Sequence, residues 1–184
     1  VMTTQGSIRW YRFGFILVWA ALLSACSFQL RGTGAQTGVL QKVYVEELDN
    51  LDYDLRRAIL SYWPDGGIQL AKSLKDAQVT VSLGQAEFTQ RRTARSGQGD
   101  TTAELLTLSV AYSLYAENND RLLSAGRLLV QRDRQLQPDA VLASEAELKS
   151  LREQMSKTLA DKLLFKIHAD YSAYLNTLKG GSTQ

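Results

Sequence analysis

The chain predicts an α+β fold, a two-layer sandwich with two helices packed on one face of a four-stranded, mostly antiparallel sheet, in the order β-α-β-β-β-α. Three patterns carry this expectation. Leu106, Leu108, Val110, Tyr112 and Leu114 alternate with Thr107, Ser109, Ala111, Ser113 and Tyr115, the mark of a half-buried antiparallel strand. After an Asn118-Asn119-Asp120 turn, Arg121 to Leu136 reads as the return strand, with Leu122, Leu128 and Val130 on the matching face. Leu151, Met155, Leu159, Leu163, Ile167, Tyr171 and Leu175 then recur every four residues, which reads as one long helix. With 45% hydrophobic and 22% charged residues, the 184-residue chain has enough apolar mass for one core. Disorder and a multi-span membrane protein are excluded.

The remaining elements follow in order. Gln41 to Glu47 is a short strand with Val43 and Val45 on one face, and Asp49 to Trp63 is a helix with Asp52 as its N-cap. Pro64-Asp65-Gly66-Gly67 stops that helix, and Ile68 to Ala71 is a short extended piece. Val79, Val81 and Leu83 share one parity; after Gly84 it passes to Ala86 and Phe88, which predicts a bulge. Pro138 ends the return strand, and Ser144 with Glu147 forms a capping-box pattern opening the last helix. Its i+4 stripe drifts by about 40° per step at 3.6 residues per turn. One flat sheet cannot cover all of it, so the second half either bends with the sheet or projects toward a partner. The other sheet face, with Thr107, Ser109 and Ser113, is polar and small and suits solvent or a wet partner wall. No internal repeat is visible.

The first residues read as an address. Arg9 and Arg12 precede an apolar run from Phe13 to Leu23, and small Ser24 and Ala25 lead to Cys26. A positive region, a short apolar region and a small-residue cleavage zone define a secretory signal, and Arg12 cuts the run short of a bilayer span; an uncleaved N-terminal anchor is the other reading. The expected organisation is a cleaved lipoprotein signal peptide at 1–25, an acylated Cys26 with a tether over 26–40, a single sandwich domain at 41–178, and a flexible tail at 179–184. Leu23-Ser24-Ala25-Cys26 resembles the bacterial lipobox, in which the Cys thiol takes diacylglycerol and the new amine takes a palmitate-type chain. More than one acyl chain is needed for a stable anchor. Ser27 stands where an inner-membrane retention signal typically has Asp, which favours the outer membrane. Without the two signal arginines, basic and acidic residues balance at 19 each, so no nucleic-acid footprint is expected.

One Cys and one His exclude Cys/His zinc sites, CxxC redox motifs and an internal disulfide framework. A hydrolase would have to use His168, beside the apolar stripe and without an acid or nucleophile at useful spacing; it reads as a surface or boundary His. Gly97-Gln98-Gly99-Asp100 lacks the Lys and following helix of a phosphate loop and reads as a hairpin turn. No catalytic residue, cofactor or metal site is predicted.

A basic cluster is the informative feature. With hairpin turns centred near Gln98 and Asn119, Arg92 lies opposite Glu104, Glu104 opposite Arg134, and Arg91 two strands from Asp133. Arg95 and Arg132 are close by. Parity puts Arg92, Glu104, Arg132 and Arg134 on the continuation of the apolar face, past the reach of the helices. Two readings stand: a solvated strand end with cross-strand charge pairs, or an anion site in which Arg91, Arg92, Arg95, Arg132 and Arg134 bind phosphate or carboxylate bidentately.

Cys26-Ser27-Phe28-Gln29-Leu30-Arg31-Gly32 resembles the mature start of the LPS-assembly lipoprotein family LptE, typically Cys-Gly-Phe-x-Leu-Arg-Gly, with Ser27 in place of Gly. Asp76 to Leu83 is similar to that family's entry into its second strand, and the element order agrees to the end of the last helix. The resemblance implies a non-enzymatic, cofactor-free outer-membrane lipoprotein that faces the periplasm and barrel lumen. It further implies a heterodimer with the LptD-type β-barrel, which the chain plugs and helps assemble, and contact with lipopolysaccharide bound for the outer leaflet. The arginine cluster then fits lipid A phosphates. A periplasm-facing lipoprotein that binds a soluble ligand or inhibits an enzyme is the alternative; a stable complex with a barrel separates the two.

Overall fold

The computed structural model describes residues 40–97, 99, 101–116, 119–136 and 141–180, with main chain alone at Val141 and Leu142. The expected signal, Cys26 and nearly all of the tether lie outside the described residues, which fall within one unit of the chain, Gln36–Gln184. Strand β1 (Lys42–Glu46) leads through a 3-10 turn at Leu48–Asn50 to helix α1 (Tyr53–Asp65). Then come β2 (Gln69–Leu70), β3 (Val79–Leu83), β4 (Glu87–Arg95), β5 (Thr101–Ala116), β6 (Arg121–Gln135) and helix α2 (Val141–Gly180).

The α+β class and the two helices on a sheet are as expected, but the sheet has six strand segments rather than four and is mixed. β1 runs parallel to both β2 and β3, because a helix connects them and such crossovers return strands in parallel. β3 and β4 both pair antiparallel with β5, β3 through residues 112–116 and β4 through 101–109. β6 takes the whole other edge of β5. β3 and β4 are therefore two segments of one bulged strand. Leu83 faces Tyr112 and Glu87 faces Ser109, so three residues (84–86) stand against two (110 and 111), the bulge read from the parity switch.

Boundaries differ where local signals compete with tertiary contacts. The helix expected from Asp49 begins at Tyr53, since Leu48–Asn50 take a 3-10 turn after Glu47, whose φ is 51°. Asp52 is the N-cap, its carboxylate accepting from the Asp54 N–H at 3.1 Å. α2 begins at Val141, so Ser144 and Glu147 lie inside it and their side chains turn to Arg134 instead of forming a capping box. At its other end α2 runs through Lys179 and Gly180, into the segment expected as a tail.

Both helices share one core with the sheet. Val43, Val45, Val79, Val81, Leu114 and Leu108 face Leu55, Ile59, Trp63 and the α2 stripe. Met155, Leu159, Leu163 and Ile167 are fully buried, each contributing about 2 kcal/mol. Tyr171 is buried too, and Leu151 and Leu175 pack partly against the core. The stripe thus stays covered and does not project. α2, about 60 Å long, lies along the β5–β6 hairpin, and strand twist of the usual hand lets a sheet stay under a drifting stripe. Ser144 meets Arg134, the Lys162 ammonium donates to the Leu129 carbonyl at 3.0 Å, Ser124 donates to Asp170, and the Arg121 guanidinium lies 5.1 Å from the Tyr174 ring centre. α1 closes the other flank, where the Trp63 indole N–H donates to the Ala160 carbonyl at 3.1 Å.

Candidate functional site

The sheet end formed by β4, the first half of β5 and the last half of β6 carries the basic cluster. Arg92 pairs in register with Glu104 and Glu104 with Arg134; on the opposite face, Arg91 pairs with Leu105 and Leu105 with Asp133. Arg132 sits one row inward beside Leu106. Bulges between Arg92 and Arg95 bend the tip of β4. The rows are those given by the two turn centres; Asn119, with φ 74°, occupies the second turn and its amide donates to Glu46 at 2.7 Å.

Arg134 departs from the expectation. It is 5% exposed, not beyond the reach of the helices, because α2 starts three residues before Ser144 and its first turns cover this end of β6. Its guanidinium lies 3.7 Å from Glu104 and 3.3 Å from Glu147, and it also donates to the Ser144 carbonyl and hydroxyl. One buried cation thereby joins β5, β6 and α2. A Ser and a Glu three apart near a helix start satisfy the capping-box pattern equally well. The signal that points elsewhere is an Arg on the core-facing parity of β6, a few residues from the chain reversal.

Arg91, Arg92, Arg95 and Arg132 are exposed, and among the described residues none of them has an ion-pair partner. Of the two acids in these rows, Glu104 is engaged by Arg134, and Asp133 is exposed. Arg92 and Arg132 stand on one face of this sheet end and Arg91 on the other, and exposed guanidiniums of this kind bind phosphate or carboxylate through bidentate hydrogen bonds. Near the start of β4, four residues from Arg92, lies Arg152, which carries no strand-pattern signal. Arg152 donates to Asp52 at 2.6 Å, approaches Asp54 at 3.5 Å and stacks 5.3 Å over Phe88, tying α2 to the start of α1 and to β4.

His168 lies far along α2 from this end and has no acid beside it, since Asp170 bonds Ser124 and Lys166. Burial holds its imidazole below the usual pKa, so it is neutral at pH 7. Among the described residues no group of three His, Cys, Asp or Glu is placed to hold a metal ion, and no helix is long and apolar enough to cross a membrane.

A family model described as LptE, lipopolysaccharide-assembly, matches residues 40–167, most of the chain. No curated protein matches it. Among solved structures, the chain is similar to rare lipoprotein B of Shewanella oneidensis, with TM-score 0.60 and 14% identity over 74% of this chain and 98% of that one. Lipoprotein B of Nitrosomonas europaea gives 0.62 and 18%, covering 82% and 96%. A minor lipoprotein of Acinetobacter baumannii gives 0.52 and 22%, covering 72% and 93%. At these identities the likeness is one of fold, and it agrees with the match over residues 40–167: the chain belongs to the lipopolysaccharide-assembly family LptE.

Proposed function

We propose that this chain is an outer-membrane lipoprotein, anchored through an acylated Cys26, that plugs an LptD-type β-barrel, helps it assemble and binds lipopolysaccharide on its way to the outer leaflet. The family match over residues 40–167 is the observation that carries the reading. Two features support it. The sheet face away from the helices presents Thr107, Ser113 and Ala111 beside an Arg127–Glu87 pair at 2.6 Å, a polar, low-relief surface suited to a wet lumen. At one end of the sheet, Arg91, Arg92, Arg95 and Arg132 supply free guanidiniums for the phosphates of a bis-phosphorylated lipid headgroup, while Arg134 holds that end together.

Charge-assisted bonds contribute about 1.5–3 kcal/mol each, whereas exposed arginines without an ion-pair partner sit near the bottom of the about 0–1 kcal/mol range of surface pairs. Joint replacement of Arg91, Arg92, Arg95 and Arg132 by Ala should therefore weaken lipopolysaccharide binding by more than about tenfold while leaving the thermal midpoint within about 4 °C. Unchanged affinity would remove the anion site. Depletion of the protein should lower the amount of assembled barrel and of surface lipopolysaccharide; if both stay constant, the soluble-ligand alternative takes over.

A further inference from the structure

We propose that the open edge of β4 is a docking site for an extended, carboxylate-rich peptide strand of a partner protein, added to this sheet as a further strand. On its outer side β3 is paired with β1, but no described residue pairs with the outer side of β4. The sheet edge therefore steps back at Gly84 and leaves a nine-residue strand open. The Leu136 N–H donates to the Thr102 carbonyl and the Gly84 N–H to the Ala111 carbonyl, both at 2.9 Å. Even-numbered residues of that part of β5 thus bond toward β6 and odd-numbered ones toward β4. Across the register, Glu87, Thr89 and Arg91 bond into the sheet, which leaves Phe88, Gln90 and Arg92 with main-chain N–H and C=O pointing outward. Unmet groups at every second residue are what an incoming strand pairs with.

The step itself holds a cavity of about 360 Å³ lined by Glu47, Asn50, Leu51, Leu83, Gly84 and Gln85, where β1 has ended and β4 continues. It sits at the head of the open edge and has room for a side chain at one end of the added strand. The opposite edge of the sheet is handled differently: α2 runs along β6, and Lys162 occupies the Leu129 carbonyl. β4 has no such cover among the described residues.

Charge selects the occupant. β4 carries Arg91, Arg92 and Arg95 against one acid, Glu87. A second copy would bring the same positive excess against it, and residues 26–39 of this chain carry Arg31 and no carboxylate. A strand rich in Asp or Glu matches the edge in both hydrogen bonding and charge. Strand addition itself uses the main chain of β4, and the preference for carboxylates uses the arginines in the protein without bound lipid.

The test uses the detergent-solubilised protein and a nine-residue peptide of alternating Thr and Glu, matched to the length of β4. Controls are the peptide with Lys for Glu and the Glu peptide methylated at every amide nitrogen. The Glu peptide should bind at least about tenfold more tightly than either control and slow hydrogen exchange at the Gln90 and Arg92 amides. Gln90→Pro, which removes an outward donor without touching the β5 ladder, should abolish binding. Should that variant fail to fold, Arg91→Glu with Arg95→Glu keeps the edge and should reverse the preference toward the Lys peptide. Equal binding of the methylated peptide would show charge attraction alone and overturn strand addition. No binding by any peptide, or a dimer of the free protein that Gln90→Pro dissolves, would overturn the proposed occupant. Lipopolysaccharide binding measured on the same variants reports separately on the lipid reading.

Discussion

Arg134 and the four exposed arginines have the same chemistry and opposite surroundings, and the difference decides what each does. A guanidinium 5% exposed between Glu104, Glu147 and Ser144 is a structural tie, because removing it strands partly buried acids. Arg134→Ala should cost about 3 kcal/mol of stability, near the low end for a buried pair because Glu147 stays half in water. Urea unfolding of the variant beside the Arg91/Arg92/Arg95/Arg132 quadruple Ala variant would check this; similar losses in both would mean that burial does not separate them. His168 gives a second prediction of known sign. Its folded pKa is depressed by burial, so above about pH 6.5 the imidazole is neutral folded or unfolded and contributes no pH dependence. As pH falls through that value the unfolded chain takes the proton first, and stability drops. The thermal midpoint should therefore decline from pH 7 toward pH 5 less steeply in His168→Gln than in the native chain. Parallel pH profiles for the two proteins would refute the assignment.

At the scale of elements, the joint between β6 and α2 is the point where local pattern and tertiary packing disagree. Ser144 and Glu147 look like a helix start, yet α2 has already begun and both side chains serve Arg134. A double-mutant cycle tells these roles apart. Ser144→Ala and Arg134→Met should show a coupling of about 1–2 kcal/mol, whereas a simple N-cap would lose the same amount in either background. What local spacing can encode was legible in advance: the β5 alternation, the Gly84 bulge, and the rows Arg92–Glu104–Arg134 that two turn centres dictate. Parallel pairing of β1 with β2 and β3 was not, because strands joined through a helix carry no register signal in the connecting sequence. Burial of Arg134 also escaped the pattern, since parity gives the face of a strand but not how far a later helix reaches over it. The free main chain of β4 depends on which strands stop short, and that is a property of the assembled sheet alone.

For the whole molecule, the buried core among the described residues runs from Leu40 to Tyr174, while the proposed anchor is at Cys26. Anchoring and folding should therefore separate cleanly. On the proposed reading the Leu23-Ser24-Ala25-Cys26 junction would offer its sulfur as the acylation site, and without the thiol there would be no thioether and no cleavage before residue 26. Cys26→Ala should accumulate as an unprocessed precursor without acyl chains, detected by mass spectrometry of the membrane fraction. Its core should keep a native thermal midpoint, because the buried side chains from Leu40 to Tyr174 already join both helices to the sheet. The electrostatics change as well: a retained signal leaves Arg9 and Arg12 on the chain, giving a net charge of +2 instead of the balanced mature form. Positive charge beside an apolar run holds the precursor at the membrane where it was made, away from the outer-membrane barrel. The variant should thus be kept from the proposed barrel partner while remaining folded. Normal cleavage and acylation in Cys26→Ala would place the anchor elsewhere, and a large fall in midpoint would show that the N-terminal segment belongs to the core after all.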